Sequence, residues 1–245
     1  MRVETNLRLA QRNRQIAQYL FFLSFGVLIV GLFVTNSQVT NVGADGFLLG
    51  VLLPSLVLPL AFILTMLSVR MTNLWVRQPR PEVVIRENLK GISSKSVLYN
   101  YYFIPARHVL IAPQGVFAMV TRFQDGRYTV EGDNWKAHRS VLNRIFSIFR
   151  LDAIGNPTLD AINAAARVQK IIDPIAPGVT VQPLVLFVDP RAQVEMLNPT
   201  VPVLYPDRKR EPNLNDYLRD VGKEKRPTLT PAQIEAFEAA TIHRK

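Results

Sequence analysis

Apolar residues crowd the start of this chain and thin out towards its end. From Gln15 to Ala44 no residue is charged, and Ile16–Thr35 is mostly Leu, Phe, Val and Ile. A second charge-free run covers Gly46–Val69. At about 1.5 Å of rise per residue, a helix of about 20 residues spans a hydrocarbon core of about 30 Å. Both runs are that long, and the pattern predicts a transmembrane helical hairpin over residues 16–69. A cleaved signal peptide fits the first run less well. Its apolar stretch is longer than such peptides use, and no A-x-A-like site follows it.

Beyond the hairpin the pattern changes to short elements. Gln78-Pro79-Arg80-Pro81 reads as a stiff linker, and Glu82–Lys90 has apolar residues at helical spacing. Three strand-like runs follow, Ser96–Ile104, His108–Ile111 and Val116–Thr121, with Pro113-Gln114-Gly115 as the turn between the last two. Gln124-Asp125-Gly126 is a further turn before a short strand, Arg127–Val130, and Glu131-Gly132-Asp133 reads as a loop. Helical patterns return at His138–Phe149 and Thr158–Ile172. Val181–Val188 is mostly apolar, with Pro183 near its start and Pro190 just beyond its end, the mark of a strand buried on both faces. Thr230 as N-cap, Pro231 in the first turn and Gln233 completing a capping box predict a tail helix whose Ile234 and Phe237 could dock on the domain or on a partner. The expected fold class is α/β, a hairpin followed by one domain with a mixed central sheet. The expected segments are a basic arm (1–15), the hairpin (16–69), a linker (70–81), the α/β domain (82–205), and a basic segment with the tail helix (206–245).

Charge orients the hairpin. Asn36–Asp45 has no Lys or Arg, whereas Arg2, Arg8, Arg12 and Arg14 precede the first span and Arg70, Arg77 and Arg80 follow the second. The asymmetry predicts a two-span protein of the inner (plasma) membrane with both termini in the cytoplasm. Tyr19, Phe21, Phe22 and Trp75 are expected as interfacial anchors, Pro54 and Pro59 as kinks, and Gly46 with Gly50 as a weak helix-association pair. The spans hold no ionisable residue, which argues against a channel or pump formed by the hairpin alone.

The net charge is +10. Four arginines, Glu4 and Asp45 lie before residue 70, so the remainder is 29 − 4 = 25 basic against 19 − 2 = 17 acidic residues, or +8. That balance suits the cytoplasmic side of a membrane, anionic lipid or nucleic acid. The chain has no cysteine, and its histidines, His108, His138 and His243, are far apart. Disulfides, thiolate zinc sites and a cysteine nucleophile are excluded, and no cofactor is expected. Arg208-Lys209-Arg210 and Lys223–Arg226 read as solvated linker or as contacts for headgroups or nucleic acid.

The run ARHVLIAPQGVFAMVTRFQDG (106–126), the helix carrying Glu87, Trp135, the Asn156-Pro157 step, VQPLVLFVDP (181–190) and TPAQIEAFEAA (230–240) together resemble the nuclease-related domain (NERD) family, a branch of the restriction-endonuclease-like fold. The resemblance implies two carboxylates holding Mg²⁺ and a nearby lysine that activates water. It places an acidic residue where this chain has Arg107, just before His108, and a Glu-x-Lys triplet where it has Val120-Thr121-Arg122. A glutamine is expected where this chain has Asp160. The implied catalytic site, at Arg107, His108, Val120, Arg122 and Asp160, is therefore degenerate, with no metal site. Arg107 and Arg122 could bind an anion, or pair with Glu87 or Asp160. Relocated ligands would have to come from Glu87, Asp125, Glu131 or Asp133. His108 is expected to be a partly buried strand residue. The expectation is a non-enzymatic, membrane-anchored accessory or binding subunit whose partners are the lipid bilayer and other membrane protein subunits. The alternatives are a tethered protein that binds nucleic acid weakly, and an active nuclease with relocated ligands.

Overall fold

The computed structural model describes residues 1–38, 53–138, 153–224 and 226–242. The chain divides into a helical unit, which includes Arg8–Gln78, and an α/β unit that joins Met1–Leu7 to the described residues of Pro79–Ser140 and Ile154–Lys245.

The helical unit holds α1 (Leu7–Gln38) and α2 (Leu53–Trp75), with Pro59 inside α2. Leu7–Phe33 and Ser55–Trp75 are long and apolar enough to cross a membrane. The helices are antiparallel: Arg14 donates to the Trp75 carbonyl at 3.1 Å, and at the other end a Cβ on Gly31 would come within 2.9 Å of Val57 Cγ1. Their seam is made of small residues at a seven-residue period. Ala10, Ala17, Ser24 and Gly31 are buried on α1, and Ala61 and Ser68 on α2, with Trp75 in phase after them. Small side chains let two backbones approach closely, and a seven-residue repeat keeps one stripe facing the partner. The large apolar side chains point the other way: Tyr19, Phe22, Leu32 and Phe33 on α1 are all about 70% exposed, as are many on α2 to a lesser degree. Tyr19, Phe21 and Phe22 face outward. Trp75 is only 8% exposed, because its position falls on the small-residue seam. The Gly46/Gly50 pair lies outside the described residues.

The α/β unit is built on a six-stranded mixed sheet, ordered β1-β2-β3-β4-β7-β9. These are β1 (Arg2–Thr5), β2 (Val97–Phe103), β3 (Ala106–Ala112), β4 (Gly115–Arg122), β7 (Val181–Phe187) and β9 (Val203–Leu204). Strands β2, β3 and β4 are the expected meander; Gly115, at φ +133, takes the turn position that other residues avoid. Strand β7 runs parallel between β4 and β9 with its apolar positions buried, as its composition predicts. A second sheet, β6-β5-β8, is formed by β5 (Gly126–Glu131), β6 (Asn134–His138) and β8 (Ala192–Leu197). His138, expected to open a helix, closes β6 instead, because the 131–133 turn folds the chain back on β5; the rest of that expected helix lies outside the described residues.

Helices cover both faces of the large sheet. α3 (Pro81–Asn88) and α5 (Leu214–Val221) pack Ile85, Leu214 and Leu218 on Leu98, Leu110, Phe117 and Leu186. The opposite face takes α4 (Pro157–Ile172), whose Ala161, Ala164, Ala165, Val168 and Ile172 are buried, and α6 (Pro231–Thr241). The Asn156 side chain caps α4 through the Leu159 N–H at 3.0 Å, and α6 carries the predicted capping box. Phe237 is fully buried beside Tyr99 and Phe103, so the tail helix docks on its own domain.

The segment expected to be a basic arm contributes β1. It pairs in parallel with β2, from Arg2 beside Val97 to Thr5 beside Asn100. Arg2 also reaches the carboxylate of Glu238 on α6, which accepts the Tyr99 hydroxyl at 2.6 Å. The residues before the first apolar helix are thus tied to the last helix of the chain.

Candidate functional site

Alternation along the strands separates the residues that the family resemblance singles out. Arg107 shares the parity of Val109 and Ile111, and Val120 that of Ala118, all of which pack on the α4 side. Arg107 lies one step beyond the His108–Met119 pair, and so opposite Val120; Arg122 is two residues further on β4. Asp160 stands in the first turn of α4. The sheet and helix therefore gather Arg107, Val120, Arg122 and Asp160 on one face, while His108 lies on the other.

Arg122 is committed on that face. Its Nη2 donates to Asp160 Oδ2, and its side chain is only 12% exposed. Burial lowers its pKa from the ordinary value, and the Asp160 hydrogen bond and charge oppose the shift. A guanidinium does not act as a base near neutrality. Val120, half-buried against two core clusters, offers no ligand atom. Arg107 is half-buried and has interactions of its own. The pairing of Arg122 with Asp160 is the arrangement found.

His108 is fully buried, further than expected. Its Nδ1 is 2.8 Å from Asn100 Oδ1, and Asn100 Nδ2 donates to Thr5 Oγ1 at 3.1 Å. The Tyr101 ring meets the imidazole edge-on at 5.2 Å, and its hydroxyl donates to Glu82 on α3 at 2.7 Å. A local irregularity in β2, with Tyr101 at φ +67, makes room for this stack. Burial, reinforced by Arg107, pushes the His108 pKa down to about 3. The imidazole is thus neutral, donates through Nδ1, and is out of reach of any solvent-borne substrate. Asn100 was the missed member of this group. A lone amide inside the apolar stretch Val97–Phe103 is the signal that could have found it, because a buried polar side chain requires a partner.

The acidic residues considered as relocated ligands are dispersed. Glu87 pairs with Lys90 and Arg86 on α3. Asp125 faces Arg191 at 3.1 Å, and Arg191 also holds the buried carboxylate of Asp189. Glu131 is 4.0 Å from Lys136, and Asp133 lies in the turn after β5. Among the described residues, no group of three or more His, Cys, Asp or Glu side chains comes together.

The basic clusters are structural to a degree that their composition hid. Arg208 donates to the Asn88 and Lys90 carbonyls, closing the C-terminal end of α3. Arg210 lies 3.6 Å above the Tyr205 ring and donates to the Asp189 and Ala192 carbonyls. Lys223 and Arg226 form local pairs with Asp220 and Glu224. An open cleft of about 710 Å³ on the second sheet is lined by cross-strand polar pairs, Arg127 with Gln193 and Thr129 with Glu195.

No protein-family model, curated protein or solved structure matches the chain.

Proposed function

We propose that the chain is a two-span protein of the inner (plasma) membrane whose α/β domain faces the cytoplasm and serves as a non-enzymatic accessory or binding subunit of a larger membrane assembly. The observation that carries this reading is the inverted burial of the hairpin, with alanine, serine and glycine inside and phenylalanine, leucine and tyrosine outside. In water that surface would be a large aggregation-prone patch; in lipid it is the ordinary arrangement. Strand β1 supports the topology. It precedes the first helix yet belongs to the domain that follows the second, so the chain between them crosses an even number of times. The arginine bias makes their common side the cytoplasmic one.

The non-enzymatic part rests on the family resemblance. Where it calls for two carboxylate ligands and a lysine, this chain has Arg107, Val120 and an Arg122 held by Asp160. Nucleic-acid binding is the weaker reading, because Tyr99, Tyr101 and Phe117 are buried and provide no stacking platform.

Two measurements test the proposal. With Ser37→Cys or Ser94→Cys in the chain, an impermeant maleimide applied to intact cells is expected to label the first and spare the second; the opposite pattern would reverse the orientation. The purified protein is expected to cleave neither DNA nor RNA with Mg²⁺ or Mn²⁺. Cleavage abolished by Asp125→Ala or Glu131→Ala would show an active site built from other carboxylates and sink the non-enzymatic reading.

A further inference from the structure

Five arginines sit at one end of the helical unit: Arg8, Arg12 and Arg14 on α1, Arg70 on α2, and Arg77 just after it. The antiparallel packing, set by Arg14 on Trp75 and Gly31 on Val57, brings the two groups to the same end. Neither helix carries an Asp or Glu. Arg14 is partly engaged with the Trp75 carbonyl, whereas Arg8, Arg12 and Arg70 are exposed. Arg8 and Arg12 are one turn apart on the same face, where like charges repel unless an anion lies between them. The outward apolar surface begins directly beyond them, with Ile16, Tyr19 and Phe22 on the same helix.

We propose that these arginines form a collar that binds the phosphate groups of anionic phospholipids in the surrounding leaflet. The proposal rests on the membrane reading above and adds a ligand class to it. Continuity with the apolar surface selects lipid over a soluble polyanion. Arg70 lies five residues before Trp75, which at about 1.5 Å per residue is about 7.5 Å deeper along α2. From there its long side chain reaches a headgroup by extending along the helix. A nucleic acid would find that position screened by the bilayer.

The test uses the full chain, solubilised in mild detergent with an equal mixture of phosphatidylcholine and phosphatidylglycerol, and the retained lipid is measured by mass spectrometry. Phosphatidylglycerol is expected to be enriched by about fivefold or more over the input, since each cation near the surface favours an anionic headgroup. The triple variant Arg8→Gln, Arg12→Gln, Arg70→Gln should return the ratio to that of the input, and the corresponding triple lysine variant should keep most of the enrichment. Circular dichroism checks that both variants retain their helices. No enrichment in the unmodified chain, equal enrichment in the glutamine variant, or displacement of the lipid by an oligonucleotide of equal phosphate content would each overturn the collar. Release of the protein from membranes by alkaline carbonate alone would overturn the membrane reading and this proposal with it. Loss of lipid preference in a carbonate-resistant protein overturns the collar only.

Discussion

Lowering the pH from 7 to 5 is expected to destabilise the α/β unit by about 2 kcal/mol through His108 alone. Its pKa is depressed from the ordinary 6.5 to about 3, chiefly because the ring is buried and secondarily because of Arg107. The unfolded chain therefore takes up a proton near pH 6.5 that the folded chain refuses until about pH 3. Stability is fully present above the unfolded value and falls as the pH drops, by about 1.4 kcal/mol per pH unit within that window. Urea unfolding followed by tryptophan fluorescence at several pH values measures the slope. Replacing the ring by an amide, His108→Gln, keeps a partner for Asn100 and should flatten the dependence between pH 7 and 5. An unchanged slope in that variant would show that His108 is not the group responsible.

Removing the carboxylate of Glu238 is the second large effect expected. The Glu238 side chain is 12% exposed and joins Arg2 of β1 to the fully buried Tyr99 of β2. In Glu238→Ala, Arg2 can turn to water because half of its side chain is already exposed, but the Tyr99 hydroxyl has nowhere to go. An orphaned buried donor together with a lost charge-assisted bond costs about 2–3 kcal/mol. Glu238→Gln restores an acceptor for Tyr99 and should recover about half of that. Arg2→Ala should cost less than Glu238→Ala, since the carboxylate it leaves keeps the Tyr99 hydroxyl as a partner. Thermal melts of the three variants decide the matter, and equal losses for Glu238→Ala and Arg2→Ala would contradict this division. The same environment raises the Tyr99 pKa well above its ordinary value, mainly by burial and then by the Glu238 hydrogen bond. The neutral phenol is the form that the fold holds, so this contribution persists below pH 10 and is lost as the pH rises further.

Much of the architecture was legible because it is written in short-range patterns. Charge-free runs long enough to cross a membrane, the Pro113–Gly115 turn between two β-rich runs, and the Thr230/Gln233 capping box are local features that packing did not override. The gathering of Arg107, Val120, Arg122 and Asp160 on one face follows from strand alternation and could be read in outline. That Arg122 spends its charge on Asp160 could not, since ion pairing depends on where α4 lands over β4.

The sequence by itself determined the hairpin, the meander and the tail helix, since hydropathy, period and capping act within a few residues. Only the tertiary structure decided that Arg2–Thr5 is an edge strand. Four residues carry too little alternation to announce one, and its partner β2 begins some ninety residues later, across both apolar helices. It also decided the face along which the hairpin closes. In an almost uniformly apolar run, apolar periodicity carries no information, and the seven-residue recurrence of Ala10, Ala17, Ser24 and Gly31 acquires meaning only when the opposing helix shows that close backbone approach, and not hydrophobicity, selects the contact.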